Sequence, residues 1–311
     1  MFSMPFVARS FTPFSRLLFA TFLILSGLLP TTLYAQDVSI SQHLGEVCFA
    51  VADERRVGQG QPDSPADTLT MLDPNTGNTQ IIGDTGTKKI EAISFGPELQ
   101  IYAADGGQLG VLDPNTGAFT PRPQPFGKVG GSIGEFTIGD ADGLAFSLEQ
   151  NILFGTQRRT DNSPAGPRPD FLFAINPTTG AHIPNYFGPN VDYVLIPAIL
   201  DDDNNTLADV DDIQFDPVTG VLYAAINTDG RSGVLVTIDL ATGTPAPIAT
   251  FRYADTGEII DDIEGISFSN DGTLYGSSGD NYIDDPDDLN TLFEINTLTG
   301  QGVVIGPFPT T

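Results

Sequence analysis

Six short segments share one form, an apolar run followed by Asp or Asn, two variable residues, Thr and Gly: 72–77 (LDPNTG), 112–117 (LDPNTG), 175–180 (INPTTG), 215–220 (FDPVTG), 238–243 (IDLATG) and 295–300 (INTLTG). Each is a turn with a physical cause. The Asp or Asn side chain folds back onto the turn backbone, Pro where present fixes φ at the next position, and Gly takes the positive φ that closes a hairpin. Apolar residues alternate on the flanks, as in Leu69 and Met71 before the first turn and Val234, Val236 and Ile238 before the fifth. Alternation of this period predicts strands joined by hairpins.

A second element lies upstream of most of these turns: 91–95 (EAISF), 142–146 (DGLAF), 211–215 (DDIQF) and 264–268 (EGISF). An aliphatic and aromatic pair follows each one, Ile101-Tyr102, Leu153-Phe154, Leu222-Tyr223 and Leu274-Tyr275, and 47–50 (VCFA) matches that pair in a first copy. Read as strands a, b, c and d, the copies span 37–83, 90–122, 140–188, 209–252 and 262–307. No stretch carries an amphipathic helical pattern. Copies of this size with four strands each predict an all-β chain folded as a β-propeller of five four-stranded blades. Residues 37–43 would supply the weakly matching inner strand of the first. A sixth blade within 121–139 or 181–208 is the alternative count, and a stacked solenoid is the alternative fold, which the unequal loop lengths fit less well.

On these motifs the chain resembles the broad superfamily of secreted bacterial repeat propellers, in which an acidic residue followed by Gly-Ile/Leu-x-Phe opens each blade and an Asp-Pro-x-Thr-Gly hairpin joins its outer strands. The resemblance covers 46–307. It implies fold more than function, because related propellers include ligand binders, scaffolds, lactonases and quinoprotein dehydrogenases.

Residues 1–35 carry Arg9 and Arg16 without an acid, then an apolar run over 17–29, and end in Ala35. This is the pattern of a secretory signal peptide cleaved after Ala35, which predicts an extracellular or periplasmic protein with 36–311 as one propeller domain. The apolar run is shorter than the roughly 20 residues a membrane span needs. Setting Arg9 and Arg16 aside leaves eleven basic residues against forty acidic ones. So acidic a chain is a poor partner for nucleic acid. Cys48 is the one cysteine, so no internal disulfide can form, and it is expected in the core as a small apolar residue.

Aligning the copies on their Phe puts Glu91, Asp142, Asp211 and Glu264 at one equivalent position. Because the inner strand of each blade starts at the central channel, these four form an expected carboxylate ring at its mouth. Like charges that close need either backbone N–H groups or a cation to offset them, and both readings stand at this point. The b to c loops on the same face differ greatly in length and carry Arg55, Arg56, Arg158, Arg159 and Arg231. These either pair locally with acids such as Asp53 and Asp161 or recognise an anionic sugar or carboxylate ligand.

The segment 201–212 (DDDNNTLADVDD) has the spacing of an EF-hand-like calcium loop. Asp201, Asp203, Asn205, Asp209 and Asp212 fall at positions 1, 3, 5, 9 and 12, with the Leu207 carbonyl at position 7. Thr206 stands where Gly eases the turn, and Asp212 where a longer Glu is usual. Calcium is thus the one cofactor the chain suggests, against a solvated acidic loop. With two histidines, no Gly-x-Ser-x-Gly elbow, no phosphate-cradling loop and no tryptophan, most other chemistry lacks its residues. Two functions remain: a non-enzymatic module binding a protein, glycan or small molecule on the b to c loop face, and a calcium-dependent hydrolase of the lactonase type working through the carboxylate ring.

Overall fold

A computed structural model describes residues 48–52, 67–158, 169–202, 204–227, 233–261, 263–278 and 291–307. The described residues form five antiparallel sheets arranged as a five-bladed β-propeller, within a compact unit spanning 41–311. The signal segment and the strand expected at 37–43 lie outside the described residues.

The first sheet holds β1 (Cys48–Ala52), β2 (Thr68–Leu72) and β3 (Thr79–Asp84) in sequential order. The second is the meander β4 (Ile90–Phe95), β5 (Ile101–Asp105), β6 (Gln108–Leu112) and β7 (Phe119–Pro121). A two-stranded hairpin, β8 (Lys128–Gly131) and β9 (Gly134–Thr137), precedes the third sheet of β10 (Gly143–Ser147), β11 (Ile152–Gln157), β12 (Asp170–Ile175) and β13 (Tyr193–Ile196). A second small hairpin, β14 (Ile199–Leu200) and β15 (Thr206–Leu207), leads to the fourth sheet of β16 (Asp209–Phe215), β17 (Leu222–Asn227), β18 (Val234–Ile238) and β19 (Pro245–Thr250). In the fifth, β21 (Ile263–Phe268), β22 (Leu274–Ser278), β23 (Thr291–Ile295) and β24 (Gln301–Pro307) are joined by β20 (Arg252–Tyr253), which pairs parallel to β24.

Register identifies the strands of the first blade. Cys48 pairs with Leu72 just before the turn, as Ile101 pairs with Leu112, so β1 to β3 are its strands b, c and d. Three expectations change. Among the described residues, 121–139 and 181–208 each hold one short two-stranded hairpin, beside β13 of the third blade, and not a sixth blade, because neither hairpin has a third strand of its own. Strand d of the third blade lies at Tyr193–Ile196, beyond the expected end at 188, because the turn at 176–180 runs on into a longer connection. Finally, five of the six Thr-Gly turns join strands c and d, whereas 216–220 joins strands a and b of the fourth blade.

The core lies between the faces of adjacent blades. Phe146, Leu153 and Phe173 of the third blade pack with Tyr102, Ala104 and Leu109 of the second, and Tyr102 stacks on Phe146 with ring centroids 5.7 Å apart. Strand alternation supplies one apolar row to each side of a sheet, so every interior blade serves two interfaces. The c to d turns add a second set of contacts at the rim. Gly117 sits against the carbonyl of Gly83, Gly180 against that of Gln124, Gly243 against that of Leu195 and Gly300 against that of Thr250. Gly77 of the first blade packs against Gly306 of the fifth, which closes the circle. Each of these turn glycines has a positive φ, 70° at Gly77 and 72° at Gly243, so one residue type answers both the turn and the close approach.

Candidate functional site at the channel mouth

The inner strands β4, β10, β16 and β21 begin at one end of the channel, here the entry end, where the b to c loops and the connections between blades also lie. The a to b turns lie at the opposite, exit end. At the entry end the inner strands share an irregularity. The pairing slips between Ile90 and Ala92, between Val210 and Asp212 and between Ile263 and Gly265, which makes Glu91, Asp211 and Glu264 the bulge residues of three blades. A bulge places two residues against one and frees a side chain from strict alternation. Three of the four aligned acids are therefore structurally equivalent, and the fourth, Asp142, stands just ahead of β10, its N–H bonded to the Thr156 carbonyl at 3.1 Å.

They do not act alike. Glu91 and Glu264 line an axial cavity of about 210 Å³, together with Asp212, Ser267 and Tyr275, and β1 walls one side through Cys48 to Val51. Cys48 is half-buried there. Asp142 instead accepts the Arg158 N–H at 2.8 Å, within its own blade. Burial pushes its carboxyl up to about 6, the Arg158 amide and charge oppose this, and the charges of Glu91 and Asp140 add to it.

Other carboxylates hold one blade to the next. Asp67, at the start of strand c in the first blade, accepts the Ile90 N–H of the second at 2.8 Å. Asp170, at the same place in the third, accepts the Val210 N–H of the fourth at 2.8 Å. Between the second and third blades the Ser94 hydroxyl accepts the Phe146 N–H at 2.9 Å. Asp212 takes N–H bonds from Ile213 at 2.8 Å and from Ile266 of the fifth blade at 3.0 Å, and also from Leu144 of the third, so one carboxylate ties three inner strands. Burial pushes Asp170 up to about 7 and Asp212 up to about 8, in both cases against the amides they accept from. A bulged inner strand leaves backbone donors facing its neighbour, and buried donors need acceptors.

The residues of 201–212 go to separate partners. Both oxygens of Asp201 are engaged by Asn205, through its backbone N–H at 2.7 Å and its side-chain amide at 2.8 Å. Leu207 pairs with Ile199 in the small hairpin, with its side chain buried. Asp209 is held by Arg158, whose Nε donates to Oδ1 at 2.8 Å and whose Nη2 donates to Oδ2. Asp212 faces the amides of three blades, and Asp203 lies outside the described residues, as do Arg55, Arg56, Arg159 and Arg231. Of the arginines named from sequence, Arg158 is thus locally paired. Among the described residues no group of three or more His, Cys, Asp or Glu side chains is placed to hold a metal ion, and no helix is long and apolar enough to cross a membrane.

Sequence reasoning missed Asp67, Ser94 and Asp170. The two aspartates had a signal, since each is an acid directly before the apolar run of strand c, in 67–69 (DTL) and 170–172 (DFL).

No protein-family profile and no curated protein matches the chain. Among solved structures it is similar to a candidate 6-phosphogluconolactonase of Bacteroides fragilis, at 11% identity and TM-score 0.43, covering 84% of this chain and 94% of that one. It is similar to a candidate TolB of Agrobacterium tumefaciens at 12% identity and TM-score 0.43, covering 78% and 90%. A bifunctional GH43-CE protein of Bacteroides eggerthii matches at 11% identity and TM-score 0.47, with 84% of this chain spanning 33% of that one. The blade count rests on the strand order above, and no activity is carried over from these proteins.

Proposed function

We propose that the chain is a secreted, non-enzymatic β-propeller that serves as a binding or scaffold module, engaging a protein, glycan or small-molecule ligand at the entry end. The observation that carries this reading is where the carboxylates spend their hydrogen-bonding capacity. A metal-dependent hydrolase needs several oxygen ligands converging on one open coordination position. Asp67, Asp142, Asp170 and Asp212 instead accept backbone N–H groups, three of them from a neighbouring blade. The distribution of variable structure agrees. Both extra hairpins and β20 lie in the connections between blades. The a to b turns are short, and function concentrates in variable loops on a rigid scaffold.

Calcium is the test that separates this from a lactonase. Binding at 201–212 would require Asp201, Asp209 and Asp212 to exchange their present partners for the metal. A ligand that binds only the folded state raises the melting temperature by mass action. Residues 36–311 should melt at the same temperature in millimolar calcium and in chelator, and should hydrolyse gluconolactone no faster than buffer does in either. A calcium-induced rise abolished by Asp201→Ala with Asp203→Ala would make the loop a metal site. Calcium-dependent lactone turnover lost in Glu91→Gln with Glu264→Gln would replace the scaffold reading with the hydrolase.

A further inference from the structure

Two asparagines of the chain stand in the form Asn-x-Ser/Thr, in 176–178 (NPT) and 204–206 (NNT). This is the acceptor form for an N-linked oligosaccharide, which needs the amide and the hydroxyl two residues on at the surface together. Pro177 disqualifies the first, since its ring fixes φ between the two groups. Asn176 is also occupied within its own turn, where its Oδ1 accepts the Thr178 N–H at 2.9 Å and the Thr179 N–H at 3.0 Å.

The second triplet lies in the β14–β15 hairpin, which gives its residues different tasks. Asp201 and Asn205 close the turn. The Asp201 N–H donates to the Asn205 carbonyl at 3.0 Å, and Asn205 in return engages both oxygens of the Asp201 carboxylate. Asp202 ties the turn to the connection ahead of the fifth blade, its Oδ2 accepting the Thr250 hydroxyl at 3.0 Å and the Arg252 guanidinium at 3.2 Å. Asn204 contributes backbone alone: its N–H donates to the Asp201 carbonyl at 3.1 Å, its φ is 64°, and its side chain is exposed, with no hydrogen bond among the described residues. A left-handed position is one that glycine fills best and asparagine next. The turn therefore uses the shape of Asn204 and leaves its amide unspent.

Alternation places the hydroxyl. Leu207 and its partner Ile199 are buried, so the neighbouring pair, Thr206 and Leu200, faces outward. Amide and hydroxyl thus stand exposed two residues apart, on a hairpin held from below by its own apolar pair and from the side by Asp202.

We propose that Asn204 is a glycosylation site, taking an oligosaccharide on its amide nitrogen from a polyisoprenyl pyrophosphate donor. In the transfer the bond from Nδ2 to the anomeric carbon forms and the bond from that carbon to the pyrophosphate oxygen breaks. The lipid pyrophosphate leaves, and the amide proton passes to a base of the transferase. The glycan stands on the connection between the third and fourth blades, beside Leu200, which is 57% exposed. Such transfer belongs to exported chains, so the donor shares its premise with the secreted reading, while the acceptor rests on the hairpin.

The test incubates folded residues 36–311 with a single-subunit oligosaccharyltransferase and a lipid-linked oligosaccharide, then measures intact mass and maps the peptides. One glycan per chain is expected, on the peptide that holds Asn204. Asn204→Gly should abolish the mass shift and leave the melting temperature unchanged or higher, because glycine takes the same φ without cost. Thr206→Ala should abolish it too. Asn205→Ala keeps the acceptor form but loses the side-chain bond to Asp201, so it should melt about 2–6 °C lower and still carry the glycan. A folded chain that stays unmodified, or is modified only after denaturation, would overturn the proposal, as would a glycan on another asparagine. Export is read separately, by expressing residues 1–311 in a host that holds the same transferase. An exported chain without the glycan also overturns the assignment. A chain retained in the cytosol counts against secretion alone, and the purified domain still decides Asn204.

Discussion

Gly243→Ala should lower the melting temperature of the propeller by about 5–15 °C, while Gly220→Ala should lower it by only about 2–4 °C. The two glycines stand in the same motif with the same φ of 72°. Alanine at either pays the left-handed penalty of about 1 kcal/mol. Only Gly243 has a neighbour. A Cβ there would collide with the Leu195 carbonyl of the preceding blade and touch Val194, whereas a Cβ at Gly220 meets nothing within 4 Å. Backbone cannot swing aside as a side chain can, and forced overpacking of this kind costs about 1–3 kcal/mol more. The difference between the variants therefore isolates the contact between blades from the turn itself. Equal shifts in thermal unfolding would mean that the rim contacts contribute nothing to closure. Gly117, packed on the Gly83 carbonyl, should behave as Gly243 does.

That contrast also marks what the sequence could and could not reveal. The Thr-Gly turns were legible because their chemistry is local: Asp73, Asp113 and Asp239 each accept the N–H of a residue two positions on, and Gly follows with positive φ. Five of the six stand at the c to d junction of one blade each. Local chemistry does not say what a turn will touch, so 216–220 read the same as its five relatives although it joins different strands. Of the four aligned acids, Glu91, Asp211 and Glu264 stand at bulges and Asp142 does not. The partners of those acids were not legible. Asp212 reads as the twelfth residue of a calcium loop from spacing alone, and its role across three blades depends on Leu144 and Ile266, which are remote in the chain. The same limit applies to Asp170, which looks like the first residue of a strand until the next blade is set beside it. Spacing predicts the neighbours a residue has in its own hairpin, and the propeller adds neighbours that only closure provides.

Stability should rise, not fall, as the pH is lowered from 8 to about 5, and Asp170 should be a principal source of the change. Its carboxyl is fully buried, its Oδ2 accepts the Val210 N–H, and its Oδ1 has no hydrogen-bond partner among the described residues. Burial raises it to about 7, with the charge of Asp142 adding to the effect and Arg158 opposing it, while Asp142 itself is raised to about 6. In the unfolded chain both return to about 3.9. Between the unfolded and folded values the native state holds protons that the unfolded state has released, so stability falls with rising pH across that interval. The contribution is fully present below about pH 4 and is lost by pH 7 to 8. For Asp170 the loss is on the order of 1–4 kcal/mol, or roughly 5–10 °C in melting temperature. Below pH 4 a second group of acids works the other way. Hydrogen bonds within the turns hold Asp113, Asp239 and Asp271 below the usual carboxylate value, so stability they add above it is lost as the pH falls through their folded values. Maximum stability is therefore expected near pH 4.5 to 5.5. Asp170→Asn keeps an acceptor for Val210 and cannot ionise. It should match the parent at pH 5, exceed it at pH 8 and flatten the profile between. Asp170→Ala should be less stable at every pH, since the Val210 N–H then lacks its acceptor. A parent protein whose melting temperature climbs steadily from pH 5 to pH 8, with the Asn variant parallel to it, would show that Asp170 is ionised throughout in the folded state.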